Sequence, residues 1–409
     1  MFKITVFAVA LFHLALVSIS HAQNIEGLKA RAIGPAVMGG RISAVDAVES
    51  NPHIIFIGAA SGGVWKTLNG GQTWKPIFDE NDTISVGALV INQQNPDIVW
   101  VGTGEGNLRN SAMVGRGIYR SLDGGVTWKD LGLKESEHIN QIVLDPRDSN
   151  TAYVMALGNL WGASEQRGVF KTIDGGESWD KILYVNDSTG GHEMILDRAN
   201  PDHLIVSMWQ FKRSTHDFIS GGTGSGLFES FDGGASFTEI SEKRGFLKGP
   251  LGKIGLAQSK SHPEVIYAMT EAEKSALLKS IDGGKSWTVI NDDERIMPRA
   301  FYYGDIVVDP ADPNRIYKLE VVTNVSDDGG KTFEMLFPDN ILHGDHHALW
   351  VNPNNPNHMI DGNDGGIAIS YDKGKNWDFT ANIPLGQFYH IATDNEYPYN
   401  IYGGLQDNG

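Results

Sequence analysis

The octapeptide SIDGGKSW (280–287) decides the fold, because it recurs along the whole chain. Six further copies are TLNGGQTW (67–74), SLDGGVTW (121–128), TIDGGESW (172–179), SFDGGASF (230–237), SDDGGKTF (326–333) and SYDKGKNW (370–377). The shared pattern is Ser/Thr-x-Asp-x-Gly-x-Ser/Thr-aromatic. Its acidic position falls on Asn69, Asp123, Asp174, Asp232, Asp282, Asp328 and Asp372, at separations of 54, 51, 58, 50, 46 and 44 residues. Around each copy the context repeats. A short apolar strand such as IIFIGAA, IVWVGTG or VIYAMTE precedes it, that strand usually follows an Asn-Pro, Asp-Pro or His-Pro turn, and another strand lies before the turn. Each unit therefore reads as strand A, Pro turn, strand B, loop, strand C, Asp-Gly-Gly turn, strand D. Units of four short antiparallel strands repeating every ~40–55 residues are propeller blades. The expected fold is all-β, a seven-bladed β-propeller over 23–385, with 386–409 supplying strands A and B of an eighth unit.

The repeated aspartates have a structural role in this reading. Asp-Gly-Gly makes a tight C–D hairpin, the carboxylate accepts turn N–H groups, and the closing Trp or Phe packs between blades. Six near-identical aspartates and Asn69 make a poor catalytic site, which needs one or two distinct groups.

Composition narrows the function. Of 409 residues, 41% are hydrophobic and 20% charged, as in soluble globular proteins, and the 49 glycines with only 16 prolines fit many tight turns. Lys plus Arg is 33 against 50 Asp plus Glu, a formal charge of −17, so a nucleic-acid backbone would be repelled. The absence of cysteine excludes disulfides, thiolate metal sites and cysteine nucleophiles. Residues 1–22 read as a secretory signal: Lys3, an apolar run over 4–19, then Ser20-His21-Ala22 before cleavage at Gln23. The mature chain is expected in the periplasm or outside the cell, with no stable membrane span.

Strand alternation puts the Pro turns and Asp-Gly-Gly turns on one face and the irregular B–C loops and D–A connections on the other. Long loops of units two to four (TGEGNLRNSAMVGRG, GNLWGASEQRG, QFKRSTHDFISGGTGSG) make that second face the expected ligand face. Polar residues at the start of strand A and the end of strand B should ring the channel mouth: Arg41, Glu105, Arg109, His192, Glu193, Asp305, His343, Asp345, His346, His347, Asp364 and Asp407. Trp161, Trp209, Tyr302 and Tyr303 are expected as aromatic platforms. In a strand, His343, Asp345 and His347 share one side, and with Asp364 they could bind Zn, Mn or Ca. The alternative is a hydrogen-bonded polar ring that closes the channel. No other cofactor is expected.

The octapeptides resemble the Asp-box, or BNR, repeats of sialidases, xyloglucanase-type glycoside hydrolases, the Vps10 domain of sortilins and photosystem II assembly factors. The chain as a whole most closely resembles a group of large secreted bacterial propeller proteins described as glycosyl hydrolase, sortilin N-terminal-like or xyloglucanase-like. Beyond the boxes, the resemblance is carried by IGPAVMGGRI (33–42), GTGEGNLRNS (102–111), ALGNLWGASEQRGVFKT (156–172), KGPLGKIGLA (248–257), HGDHHALW (343–350), GNDGG (362–366) and QFYHIATDNEYPYNIYGGLQDNG (387–409). It implies a second propeller in a longer chain, of which 386–409 is the start; those strands could instead complete the ring. Xyloglucanase-type enzymes carry one catalytic Asp at the end of a first-blade strand B. The matching stretch here, GAASGG (58–63), has no carboxylate, and the second Asp would come from the second propeller. The sialidase arginine triad finds no counterpart in Arg41, Arg109, Arg213 and Arg299. The expected function is an exported module that binds a glycan or a protein or peptide ligand without catalysis. The alternative is a xyloglucanase-like glycoside hydrolase whose acid and base come from Glu105, Asp305, Asp345 or Asp364, or from a missing C-terminal half. An assembly role, as in the photosystem factor, is a third class.

Overall fold

Seven antiparallel four-stranded sheets follow one another along the chain, each in the sequential order A-B-C-D. They appear in a computed structural model that describes residues 39–241, 243–338 and 340–406. The signal segment 1–22 and Asp407 lie outside the described residues. The innermost strands are Ile42–Ala47, Val86–Ile91, Ile139–Leu144, Thr189–Leu196, Ile254–Gln258, Asp305–Val308 and His346–Val351. Each packs against its two neighbours around a central channel, and that of blade 7 packs against that of blade 1. Among the described residues, no strand is shared across this last junction. Side chains close it: Ile42, Ile57 and Trp65 of blade 1 pack with Trp350, Ile360 and Ile367 of blade 7. Among the described residues, Phe388–Thr393 and Ile401–Leu405 pair with each other and with no blade.

The hydrophobic core is divided into clefts between blades, as stacked sheets require. Each box closes one cleft with its aromatic. Trp128 of blade 2 joins the cleft to blade 1 and donates its indole N–H to the Ile77 carbonyl (2.6 Å); Trp179 of blade 3 does the same to Leu131 (2.8 Å). The box circuit is the same from blade to blade. In blade 5, Ser280 Oγ donates to Asp282 Oδ1 (2.8 Å), which accepts Ser286 N–H (2.9 Å), while Oδ2 accepts Ser286 Oγ–H (2.6 Å). The following glycines take positive φ, and the one departure, Lys373, is held at φ +66° in the slot that Gly fills in the other six. One backbone bond per blade then ties the box to the A–B turn, for example Gly124 N–H to Asp97 O (2.8 Å) and Gly283 N–H to Glu264 O (2.9 Å). Both kinds of turn thus share one face, as the alternation requires. At that end, the channel opens as a cavity of about 410 Å³ bordered by Asp46, Glu49, Asp145, Arg198 and Lys260.

On the opposite face the structure departs from plain loops. The second strand of blade 4 extends over Leu204–Arg213 and pairs beyond the sheet with Phe218–Ser220. The turn between them is fixed by Ser214 N–H to Asp217 O (2.8 Å). Five innermost strands also carry a β-bulge near their start, at Ser43, Gly87, Asn140, His192 and His347. An extra residue there re-aims a side chain.

Candidate functional site

The loop face is built on a second hydrophobic cluster. Leu108 from blade 2, Leu157 and Leu160 from blade 3, and Trp209 and Phe211 from blade 4 are all buried together, with Phe218 and Phe301 against them. Apolar residues in three long loops cover one another, which fixes loops that sequence alone would leave free. This corrects one expectation: Trp209, Tyr302 and Tyr303 are buried and offer no open platform. Of the four aromatics, Trp161, 46% exposed, is the one open to solvent.

Over this support lies an ionic network joining distant parts of the chain. The Arg41 guanidinium donates through Nε and Nη2 to both oxygens of Asp364 (2.5 and 2.6 Å) and through Nη1 to Glu105 (2.7 Å). Asp364 also accepts from Tyr302 Oη (2.8 Å) and lies 2.9 Å from His347 Nε2. Arg109 adds a second cation 3.4 Å from Glu105 and donates to Gln387 (3.0 Å). His138 donates from Nδ1 to the Glu105 carbonyl (2.8 Å). These groups are almost wholly buried, so each charge needs its partner. Burial works to raise the Asp364 carboxyl, but the bonds from His347 and Arg41 outweigh it and hold it well below the usual carboxylate range. Burial likewise lifts the Tyr302 phenol well above its ordinary value.

A second cluster continues around the wall. His192 and Glu193 of blade 4 meet Lys253 at the edge of blade 5 and Asp305 of blade 6. His192 Nδ1 lies 3.1 Å from Ile254 O, and Glu193 accepts the Leu256 N–H, so both side chains reach the free channel edge of the blade 5 strand. Lys253 Nζ donates to Tyr303 O (2.9 Å) and lies 3.4 Å from Asp305. Burial first, and then the Asp305 charge, push Glu193 up to about 8. Asp305 feels the same burial, but Lys253 and the two histidines, His192 and His347, bring it below its ordinary value. Burial and its neighbour's charge thus favour the protonated form of Glu193, and Lys253 favours the ionised form of Asp305. Burial, followed by Lys253, depresses His192 to about 3, so its ring is neutral.

Of the residues expected as metal ligands, the structure brings His347 and Asp364 together and bonds Asp345 to Tyr303 instead. The strand begins at His346, Asp345 before it has φ +65°, and His347 sits in the bulge, so plain alternation does not hold there. Asp345 accepts from Tyr303 Oη, His346 lies 2.8 Å from Asp361, and His343 Nδ1 lies 2.8 Å from the Gly344 carbonyl. Among the described residues, one group of three His, Asp or Glu side chains has ligand atoms within 4.8 Å of one another: His192, Glu193 and Asp305. All three belong to the predicted mouth. Lys253 and His138 were missed, although each occupies the position just before an innermost strand, the position that singled out Arg41.

The chain resembles Asp-box propeller proteins by sequence and by structure. The model of the Sortilin-Vps10 family (sortilin, neurotensin receptor 3) matches residues 116–248. A xyloglucanase from Paenibacillus sp. is 23% identical over 338 residues, 73% of this chain and 31% of that protein. Among solved structures, the GH74 enzyme of Niastella koreensis superposes with a TM-score of 0.66 at 16% identity, covering 91% of this chain and 60% of that one. YCF48 from Cyanidioschyzon merolae gives 0.52 at 14% identity over 82% and 97%. The chain thus spans about a third of the length of the xyloglucanase it matches. No helix among the described residues is long and apolar enough to cross a membrane.

Proposed function

We propose that this chain is an exported ligand-binding propeller that takes a glycan or peptide on its loop face and does not itself cleave it. The observation that carries this reading is the state of the four carboxylates best placed for acid–base work. Glu105 and Asp364 are both bound to Arg41, Asp345 accepts the Tyr303 phenol, and Asp305 lies beside Lys253. Such a network makes a rigid floor for recognition. The ligand would meet the exposed side chains above it: Trp161, Met113 and Val114 on the loops of blades 3 and 2, and Arg299, whose guanidinium lies 5.1 to 5.7 Å from the ring centres of Phe301, Tyr302 and Tyr303. An aromatic ring and an aromatic-backed guanidinium suit sugar faces and peptide side chains. The test is an array of oligosaccharides and peptides probed with the mature protein. A binder is expected whose affinity falls at least tenfold in Trp161→Ala or Arg299→Ala while the melting temperature holds. Equal binding by both variants would refute the placement. Mass analysis of exported protein beginning at Gln23 checks the secretion half of the reading.

A second reading, a glycoside hydrolase acting on polysaccharide, draws support from the similarity to a xyloglucanase. Asp305 is the candidate carboxylate that suits it, because its neighbour Glu193 favours its protonated form and an acid must be paired with an ionised partner. Reducing sugar released from xyloglucan, and lost in Glu193→Gln and Asp305→Asn, would put this reading in place of the first.

A further inference from the structure

We propose that His192, Glu193 and Asp305 form a binding site for a divalent transition metal, Zn²⁺ or Mn²⁺, in the wall of the central channel. The proposal does not rest on the ligand-binding reading of the loop face. It begins with the backbone. In a regular strand, residues 192 and 193 would point to opposite sides of the sheet. The bulge at His192 breaks that alternation, and both side chains join Asp305, which arrives from two blades away, with their ligand atoms within 4.8 Å of one another.

The second observation is independent of the carboxylates. His192 is completely buried, and its Nε2 has no hydrogen-bond partner among the described residues. Nδ1 faces the Ile254 carbonyl at 3.1 Å, a group that can only accept. The proton therefore sits on Nδ1, and Nε2 carries a buried lone pair. A histidine whose second nitrogen donates to a backbone carbonyl is the arrangement that orients metal-binding imidazoles. A buried polar atom left without a partner is costly, and a metal ion would satisfy it.

The charges also suit a dication. With both carboxylates ionised, as metal ligation requires, the two carboxylates, the neutral imidazole and the Lys253 ammonium beside Asp305 sum to −1, which attracts a dication. Lys253 does not close the site. At 3.4 Å from Asp305 it is well outside the ~2.7–2.9 Å of a tight ammonium–carboxylate bond, and it donates instead to the Tyr303 carbonyl at 2.9 Å. One nitrogen and two oxygen donors, with no thiolate, point to Zn²⁺ or Mn²⁺. Three protein ligands are the count of a metal site that keeps a position open. Glu193 and Asp305 both retain some exposure to the channel, so the ion has a way in. A metal here and a proton-donating Glu193 exclude each other.

The experiment uses the whole mature chain, stripped with chelator and titrated with Zn²⁺, Mn²⁺ and Co²⁺. Elemental analysis after desalting is expected to give one Zn²⁺ or Mn²⁺ per chain, and the melting temperature is expected to rise with the metal. Glu193→Gln and Asp305→Asn should each weaken binding at least tenfold, and His343→Ala should leave it unchanged. Because a change at buried His192 could unfold the blade, the nitrogen ligand is read on the unaltered protein, from the Co²⁺ absorption spectrum and metal-edge X-ray absorption. Fewer than 0.1 equivalents bound with no thermal shift would overturn the proposal, as would binding that survives both carboxylate substitutions.

Discussion

The two faces of the propeller use the same residue types in opposite ways. On the turn face, six aspartates and their Asn69 counterpart repeat one local circuit, bonded to residues two to four positions away, at the surface. On the loop face, Asp364 and Glu105 are buried and both bonded to Arg41, 323 and 64 positions away. Repetition with local partners marks what every blade needs in order to fold. A single ionic assembly drawn from distant blades marks what the molecule as a whole does. The contrast also orders the consequences of mutation.

The largest effect is expected at Arg41→Ala, which leaves two buried carboxylates without their shared cation. Denaturant unfolding should lose about 3–5 kcal/mol, and the Arg41→Lys variant should recover only part of it, since a single ammonium cannot replace the bidentate contact with Asp364. Next comes pH. His138 is buried and neutral; burial, against the bond to the Glu105 carbonyl, depresses it to about 4. Its folded value lies below its unfolded one, so the unfolded chain takes up the proton first. The stability this provides is complete above about pH 6.5 and is lost as pH falls toward 4, on the order of 2–3 kcal/mol. Unfolding followed from pH 8 to 4 should show that slope, and His138→Gln should flatten it. The smallest effect sharpens the contrast from the other side. Asp282→Ala removes the hairpin's acceptor and should cost about 1 kcal/mol. Asp282→Asn should cost only a few tenths, because Asn69 keeps the Oδ1 bonds from Thr67 Oγ1 and Thr73 N–H in blade 1 and merely reverses the third, donating from Nδ2 to Thr73 Oγ1. A loss at Asp282→Asn as large as at Arg41→Ala would erase the distinction between the faces.

The same contrast explains what the sequence disclosed. Blade number, strand order and the division into faces were legible because they rest on local pattern: Ser or Thr, Asp, two glycines and an aromatic at fixed offsets. The membership of the mouth was legible in outline, since Arg41, Glu105, His347 and Asp364 do meet. Their pairing was not. Strand alternation suggested that His343, Asp345 and His347 act together, and the bulge at His347 with the left-handed Asp345 undoes it. Trp209 looked like a platform because nothing in the sequence says that Leu108, Leu160 and Phe211 will fold over it. Lys253 could have been found by carrying the Arg41 position around the ring.

Closing the circle without sharing a strand has a mechanical corollary. Every other pair of adjacent blades is tethered by continuous polypeptide, whereas blades 1 and 7 are joined, among the described residues, by an apolar seam, by the buckle that Arg41 fastens onto Asp364, and by the Asn354 and Asn382 amides donating to blade 1 carbonyls. Tension between the two ends of the ring loads that buckle before any hydrogen-bonded ladder, so the toroid should unclasp there first, and a covalent staple across the seam is the cheapest way to toughen it.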